Sequence, residues 1–399
     1  MSLESIEMND DRYSRLELIT WWDQDILKNA KILVVGCGAL GNEIVKNLAM
    51  LGIGNISVVD MDKVEKSNLT RSILFRKEDE GRSKAEVICE RAKEVNEDIN
   101  INYFDGNVFN FGLGVFKSYD LIIGGLDNRE ARLFINQSCW KVSKPWIDGA
   151  IEVLTGVARM FVPPDNVCYE CTMSEIDYKL INKRKSCMLL GLEEISQGKI
   201  PTTPTIASII AGVQVQEAIK YLHKREDLNC LNGKGFIFNG GNNDSYIIEY
   251  QKNEDCPSHY NFKNIKKINI SFNKAKLSDV IEFGKEYFKN DSFNIDFNNE
   301  VVYELVNESE KQNSGVTEYF GNQNLMSVKD VKQNDGNILK IRSFHNLKTG
   351  SPLTAKLLNK KLSEFKLPYN DILVLRKGEE EVQIEFGSVE IFSTTDHVS

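Results

Sequence analysis

The sequence predicts an α/β protein: a mostly parallel sheet covered by helices, followed by a smaller α+β domain. Three observations predict it. Residues 31–60 run as strand, glycine turn, helix and strand. Apolar strand-like runs then alternate with helix-like stretches as far as residue 162. Beyond His259 asparagine and lysine rise and the glycine-rich pattern stops.

The first unit is organised around residues 31–71. The apolar run 32–35 reads as a buried parallel strand. Gly36, Gly38 and Gly41 follow in G-x-G-x-x-G spacing, then an amphipathic helix over 42–51 closed by Gly52 and Gly54. A second strand, 56–59, runs into Asp60. This is a Rossmann-like arrangement. The glycines let backbone approach a phosphate, the helix N-terminus offers unpaired N–H groups, and Asp60 stands where a ribose hydroxyl would be held. Such a turn by itself means only a nucleotide. The residues after it, Asp62 and then Ser67-Asn68-Leu69-Thr70-Arg71, suit a triphosphate under cleavage, whose leaving pyrophosphate needs positioned donors such as Asn68 and Arg71.

Further along, 72–80 reads as an exposed loop, and 84–95 as a helix with Ser83 as its cap. Residues 99–104 and 119–123 read as strands. The second ends in Gly124-Gly125-Leu126-Asp127-Asn128, at the carboxyl end where ligands bind in open parallel sheets. Asp127 beside a triphosphate suits a Mg²⁺ ligand, while Asp127 or Asn128 could also cap the helix 129–142. Strands at 145–150 and 154–162 complete the pattern.

Two cysteine questions follow. Cys168 and Cys171 form a C-x-x-C, and Cys256 and His259 form a C-x-x-H with the same spacing. Three thiols and one imidazole make a closed tetrahedral zinc site; unrelated thiols or a redox pair are the alternatives, though redox use leaves the second pair unexplained. Cys187 follows Lys183-Arg184-Lys185-Ser186, cations that favour a thiolate. It lies in the polar stretch 172–200, which reads as a long loop before a helix announced by Pro201-Thr202-Thr203-Pro204. Cys37, Cys89 and Cys139 read as small apolar core residues.

The run from Gly36 to Arg71 resembles the adenylating core of the ubiquitin-activating enzyme family, which includes the bacterial adenylyltransferases of molybdopterin and thiamine synthesis. That family's G-x-G-x-x-G followed by D-x-D-x-V-x-x-S-N-L-x-R is matched throughout, and the resemblance extends to about His259. It implies ATP, Mg²⁺ and structural Zn²⁺. It places Gly36, Gly38, Gly41, Asp60, Asp62, Asn68, Arg71, Lys84, Asp127 and Asn128 around the nucleotide, with Asp127 and Asn128 opening the family's D-N-x-x-A-R. Lys84 matches a phosphate-binding lysine in G-x-x-K-A. Arg15 matches an arginine that reaches the ATP of a neighbouring subunit, although Leu16 replaces the usual glutamine. Cys187 matches the acceptor thiol of the compact homodimeric branch, at a longer distance from the P-T-T run. His259 departs from the family's second C-x-x-C.

The implied activity is ATP-dependent adenylation of a ubiquitin-like protein's C-terminus, then a thioester on Cys187 and transfer to a conjugating enzyme, in a homodimer. The alternatives are a sulfur-carrier-protein adenylyltransferase without a thioester, a nicotinamide-dependent oxidoreductase, and a non-catalytic scaffold. Composition narrows the partners. A net charge of −9 argues against nucleic acid, no apolar run reaches membrane-spanning length, and the start MSLESIEMNDDRYSR has no secretory features, from which cytoplasmic residence is expected.

The expected domains are 1–262, with the cysteine-bearing crossover at 172–200, and 263–399. In the second, strands are expected at 268–272 and 338–341, helices at 277–288 and 354–365, and hairpins around Asn298-Asn299 and Lys377-Gly378. A ubiquitin-fold domain that docks the conjugating enzyme is one reading; a dimerisation or stabilising domain is the other.

Overall fold

The computed structural model describes residues 11–181, 201–225, 227–306, 316–322 and 340–395. The first unit begins with α1 (Gln24–Asn29), β1 (Lys31–Val35), α2 (Ala39–Met50), β2 (Asn55–Asp60), α3 (Lys84–Val95) and β3 (Asn100–Asp105). It continues with α4 (Leu113–Lys117), β4 (Leu121–Gly124), α5 (Arg129–Lys141), β5 (Trp146–Glu152) and β6 (Thr155–Phe161). A long helix, α6 (Pro204–His223), and a hairpin of β7 (Lys234–Asn239) and β8 (Asp244–Glu249) close it.

These strands form one eight-stranded sheet in the order β3-β2-β1-β4-β5-β6-β7-β8. The first five run parallel and the last three are added antiparallel. Strand β1 explains the doubly wound form. Its side chains alternate between two cores: Ile32 and Val34 pack toward α2 and α6, Leu33 and Val35 toward α5. The chain order reverses between β1 and β4, which creates a crevice at their carboxyl ends.

The second unit contains β9 (Ile265–Ser271), α7 (Leu277–Phe288), β10 (Asn294–Val306), β11 (Val316–Asn322), β12 (Lys340–Lys348), α8 (Pro352–Leu357), β13 (Ile372–Lys377) and β14 (Glu380–Gly387). Its sheet runs β11-β10-β13-β14-β9, with β12 also on β10. A single strand, β9, leads into α7 and pairs in parallel with the last strand. Leu277, Val280, Ile281 and Phe288 of α7 fill its core.

Several sequence expectations change here. No hairpin forms around Asn298-Asn299. Residues 294–306 make one strand whose register against β12 shifts between Asp296 and Val301, a bulge that bends the strand without reversing it. The Asn298 amide is spent outside the strand, donating to Ile372 O at 2.6 Å. The expected helix 354–365 is two pieces, α8 and a 3₁₀ turn at Leu362–Phe365. Part of the expected loop 172–200 is helical, over residues 175–181. Ser83 occupies the cap position of α3 but makes no capping hydrogen bond, and its hydroxyl is buried without a partner.

The two sheets meet along 110–114 and 369–371. Tyr369 N–H donates to Asn110 O at 2.7 Å, and Gly112 and Gly114 N–H donate to Tyr369 O and Asn370 O at 2.8 and 2.9 Å. Among the described residues no helix is long and apolar enough to cross a membrane.

Candidate nucleotide and zinc sites

The glycine turn lies at the switch point. Gly36 follows β1 with φ +95°, and a Cβ there would meet Gly125 O, beyond β4, at 2.6 Å. A Cβ at Gly41 would meet Gly36 O at 1.9 Å. Close packing of the turn therefore excludes side chains at both. Gly38 differs: nothing lies within 4 Å of its Cβ position. It caps α2, whose first turn holds no acidic residue. The motif's middle glycine thus leaves space over a helix N-terminus, the arrangement that admits a phosphate.

Asp60 ends β2 beside this space. Its Oδ2 accepts from Cys37 N–H at 2.6 Å and its Oδ1 from Asp62 N–H at 2.8 Å. Burial raises its pKa, partly opposed by Lys84. Lys84, in the first turn of α3, is buried with Nζ 2.8 Å from Asp62 Oδ2. Burial alone would lower its pKa, but Asp60 and Asp62 outweigh burial and raise it. These carboxylates resolve the mismatch of a lysine at a positive helix end.

Asn68 is buried at the end of a 3₁₀ turn, where its Oδ1 accepts from Glu65 N–H at 3.0 Å. Arg71 donates through Nη1 to Ser67 O at 2.8 Å. Both belong to the loop that leaves β2.

After β4 the capping question resolves. Asn128 is the cap, its Oδ1 accepting from Ala131 N–H at 2.8 Å. Asp127 is exposed, and among the described residues its carboxylate meets the Asn128 amide, at 3.5 Å. That leaves an oxygen donor of the kind Mg²⁺ takes. Behind it lies a cluster of which the motifs mark only Arg132, the last residue of D-N-x-x-A-R. Asp148 is fully buried and accepts from Arg132 Nε at 2.9 Å and from Arg159 Nε at 3.0 Å. Burial opposes its charge, but the two guanidiniums win and hold its carboxyl below the usual range. Arg132 also donates to Leu126 O and Gly149 O, tying the Asp127 loop to β5. An acid inside the apolar run of β5 is the signal that a buried partner exists.

Arg15 is exposed and far from this crevice. Tyr13 packs on Gly52, and its hydroxyl accepts from Asn96 Nδ2 at 2.8 Å. Gly52 lies beyond the C-terminus of the 12-residue α2, so Tyr13 is about 18 Å from the turn at 1.5 Å per residue. A cavity of about 490 Å³ at this end is lined by Arg12, Tyr13, Lys28 and Gly52, and by none of the motif residues.

The four residues expected to hold zinc converge. One donor atom from each of Cys168, Cys171, Cys256 and His259 lies within 4.8 Å of the others. Cys168 Sγ is 3.7 Å from Cys171 Sγ and 3.5 Å from Cys256 Sγ, and Cys171 Sγ is 3.3 Å from His259 Nε2. Tetrahedral zinc with bonds of about 2.3 Å places sulfurs about 3.8 Å apart, so this donor set fits the ion. The Cys168 hydrogen bond holds the Cys171 thiol down, to about 4. The supporting groups are equally ordered. His259 stacks on Trp140, with ring centroids 5.1 Å apart. Asn136 of α5 donates to Ser258 Oγ at 3.0 Å and accepts from Tyr169 N–H at 2.9 Å. Glu170, between the first two cysteines, accepts from Ser258 and from Tyr178.

Cys187 lies outside the described residues. The helical residues 175–181 that precede it are anchored by Arg129 Nε to Asp177 Oδ1 at 2.6 Å and by Tyr178 to Glu170 at 2.8 Å. Cys37, Cys89 and Cys139 are buried in the core, and burial drives each thiol pKa upward.

The ThiF family profile matches residues 11–258. The chain belongs to the ThiF family. Among curated ThiF-like relatives, ubiquitin-like modifier-activating enzyme 5 of Dictyostelium discoideum is 30% identical over 252 residues, 58% of this chain and 64% of that protein. The catalytic subunit of the NEDD8-activating enzyme E1 of Arabidopsis thaliana is 36% identical over 162 residues, 37% of this chain and 36% of that one. This ThiF-family chain therefore spans less than two thirds of the length of these relatives. The crystal structure of E. coli MccB with ATP is 27% identical, with a TM-score of 0.52, covering 63% of this chain and 75% of that one.

Proposed function

We propose that the chain activates a ubiquitin-like or sulfur-carrier protein by adenylating its C-terminal carboxylate with ATP, then takes the acyl group onto Cys187 for transfer to a conjugating enzyme. The observation that carries the first step is the open space over Gly38 at the switch point, with Asp60 hydrogen-bonded to the neighbouring Cys37 N–H and Lys84 acting on Asp60. The relation to ubiquitin-like modifier-activating enzyme 5 and the likeness to MccB, solved with ATP, support it.

In this reading the α2 N-terminus and Gly38 receive the phosphates, and Asp60 accepts from the ribose hydroxyls. Lys84 exchanges Asp62 for phosphate oxygen. Asn68 and Arg71 neutralise the leaving pyrophosphate, and Arg15 does so from a second copy of the chain, since its own crevice is out of reach. Asp127 would hold Mg²⁺, which supplies further neutralisation of the phosphates. The tail carboxylate forms a bond to the α-phosphorus as the bond to the β-phosphate oxygen breaks, and pyrophosphate leaves. Positioning and charge neutralisation lower the barrier; no enzyme group is covalently involved in this step. The Cys187 thiolate then attacks the carbonyl of the mixed anhydride and AMP leaves. Cys168, Cys171, Cys256 and His259 would hold a structural zinc that pins the segment between β6 and 175–181 to the stretch leading from β8 toward the second unit. Residues 1–262 form the adenylating domain, and 263–399 dock the downstream partner.

The test is pyrophosphate exchange with small β-grasp proteins whose tails end in glycine. Wild type is expected to exchange and to form a thiol-reducible adduct. Cys187→Ala is expected to keep exchange within about twofold and lose the adduct. Exchange without an adduct in the wild type favours the sulfur-carrier reading, and no exchange with any such protein defeats the proposal.

A further inference from the structure

Asn42 is a further residue beside the glycine turn that the motifs do not mark. It follows Gly41 in the first turn of α2 and is fully buried. Asparagine is a poor helix-interior residue, because its amide competes for backbone groups. Here that competition is directed. Both amide hydrogens are used: Nδ2 donates to Cys37 O at 2.9 Å and to Gly38 O at 3.1 Å. Its Oδ1 accepts from Leu74 N–H, 32 residues away, at 2.9 Å.

These bonds join the two halves of the crevice. One end holds the carbonyls of the glycine turn, whose Cys37 N–H is already committed to Asp60. The other end holds the loop that carries Asn68 and Arg71, three residues past Arg71. Among the described residues, other hydrogen bonds of residues 66–75 close within 65–76, including Glu65 N–H to Asn68 Oδ1, Arg71 to Ser67 O and Arg76 to Ile73 O. Beyond apolar packing of Leu74 and Phe75, the Asn42 amide is thus what ties this loop to the turn.

We infer that Asn42 is a positioning residue for ATP: it sets the separation between the phosphate-binding turn and the Asn68–Arg71 donors. The inference rests on the nucleotide reading of the crevice. Removing the side chain leaves both parts present but uncoupled, so Arg71 no longer meets the phosphate that the turn holds.

The experiment measures ATP–Mg²⁺ affinity by calorimetry for wild type, Asn42→Ala, Arg71→Ala and the double variant, with the thermal midpoint and far-UV circular dichroism of each. Asn42→Ala is expected to weaken ATP about 10-fold, the scale of lost buried hydrogen bonds. Adding Arg71→Ala to it is expected to weaken ATP less than twofold more, although Arg71→Ala alone weakens it substantially. A purely structural role would lower the midpoint while the two losses multiplied. Multiplying losses, or Asn42→Ala binding within twofold of wild type, overturns the inference. If Asn42→Ala does not fold, Asn42→Ser is compared in the same way: its hydroxyl can still donate to Gly38 O but cannot span to Leu74. Failure of wild type itself to bind ATP–Mg²⁺ defeats the nucleotide reading instead, which keeps the two failures apart.

Discussion

Asp148 and Asp371 are both enclosed carboxylates, and the protein treats them in opposite ways. Asp148, on β5 behind the nucleotide crevice, is held between two guanidiniums, and its pKa falls below the usual range despite burial. Asp371, at the seam between the sheets, accepts from Leu113 N–H at 3.2 Å and Asn298 Nδ2 at 3.1 Å, while its Oδ2 is buried without a partner. Lys141, the cation that acts on it, donates instead to Asn298 Oδ1 at 3.0 Å. Burial dominates there, raising the pKa of Asp371 and lowering that of Lys141. The difference is one of partners, not of depth. Paired by hydrogen-bonded charge, a buried acid is held below its usual pKa; offered neutral donors, with the cation hydrogen-bonded to a neighbouring amide instead, it is driven above it.

The sharpest way to break the contrast is to remove an arginine. Arg132→Ala leaves Asp148 with one partner, and loses the bonds to Leu126 O and Gly149 O as well. Loss of stability on the order of 3–5 kcal/mol is expected in denaturant unfolding at pH 7. The second prediction concerns pH. A depressed folded pKa means that Asp148 contributes its stability above the unfolded value of about 3.9 and loses it as pH falls through the folded pKa. A raised folded pKa means the reverse for Asp371: its charge weakens the fold increasingly as pH rises from about 3.9 through the raised value. Unfolding free energies across pH 3–8 are expected to show the wild-type minus Arg132→Ala difference shrinking toward the acid end. The smallest effect is expected at the seam. Asp371→Asn is expected to change stability by less than about 1 kcal/mol at pH 7, with the balance moving toward wild type as pH falls to 4. A large loss at pH 7 would show that the Asp371 charge matters as much as that of Asp148.

The same contrast shows what could be read before folding. Gly36, Gly38, Gly41 and Asp60 were legible because their roles are local: a turn geometry, a helix start and a strand end within 30 residues of chain. The C-x-x-C and C-x-x-H were legible because donor type and spacing survive an offset of 88 residues from one motif to the other. Asn42 and Arg159 were not, since an asparagine or an arginine in a helix or strand acquires meaning only from the group it meets. The Asn298-Asn299 pair misled for a related reason. The pair sits at a bulge, and β12 pairs with the strand both before it, at 294–296, and after it, at 301–306, so the strand continues.

By itself the sequence determined the α/β alternation, the glycine turn with its following acid, and the pairing of C-x-x-C with C-x-x-H in one four-donor cluster. Each depends on backbone preference or donor chemistry carried by neighbouring residues. Tertiary structure decided which acid stays charged, which of Asp127 and Asn128 caps α5, and what binds the turn to the Arg71 loop. Those outcomes follow from burial and from hydrogen-bond partners distant in the chain, and such distances exist only once the sheets have assembled.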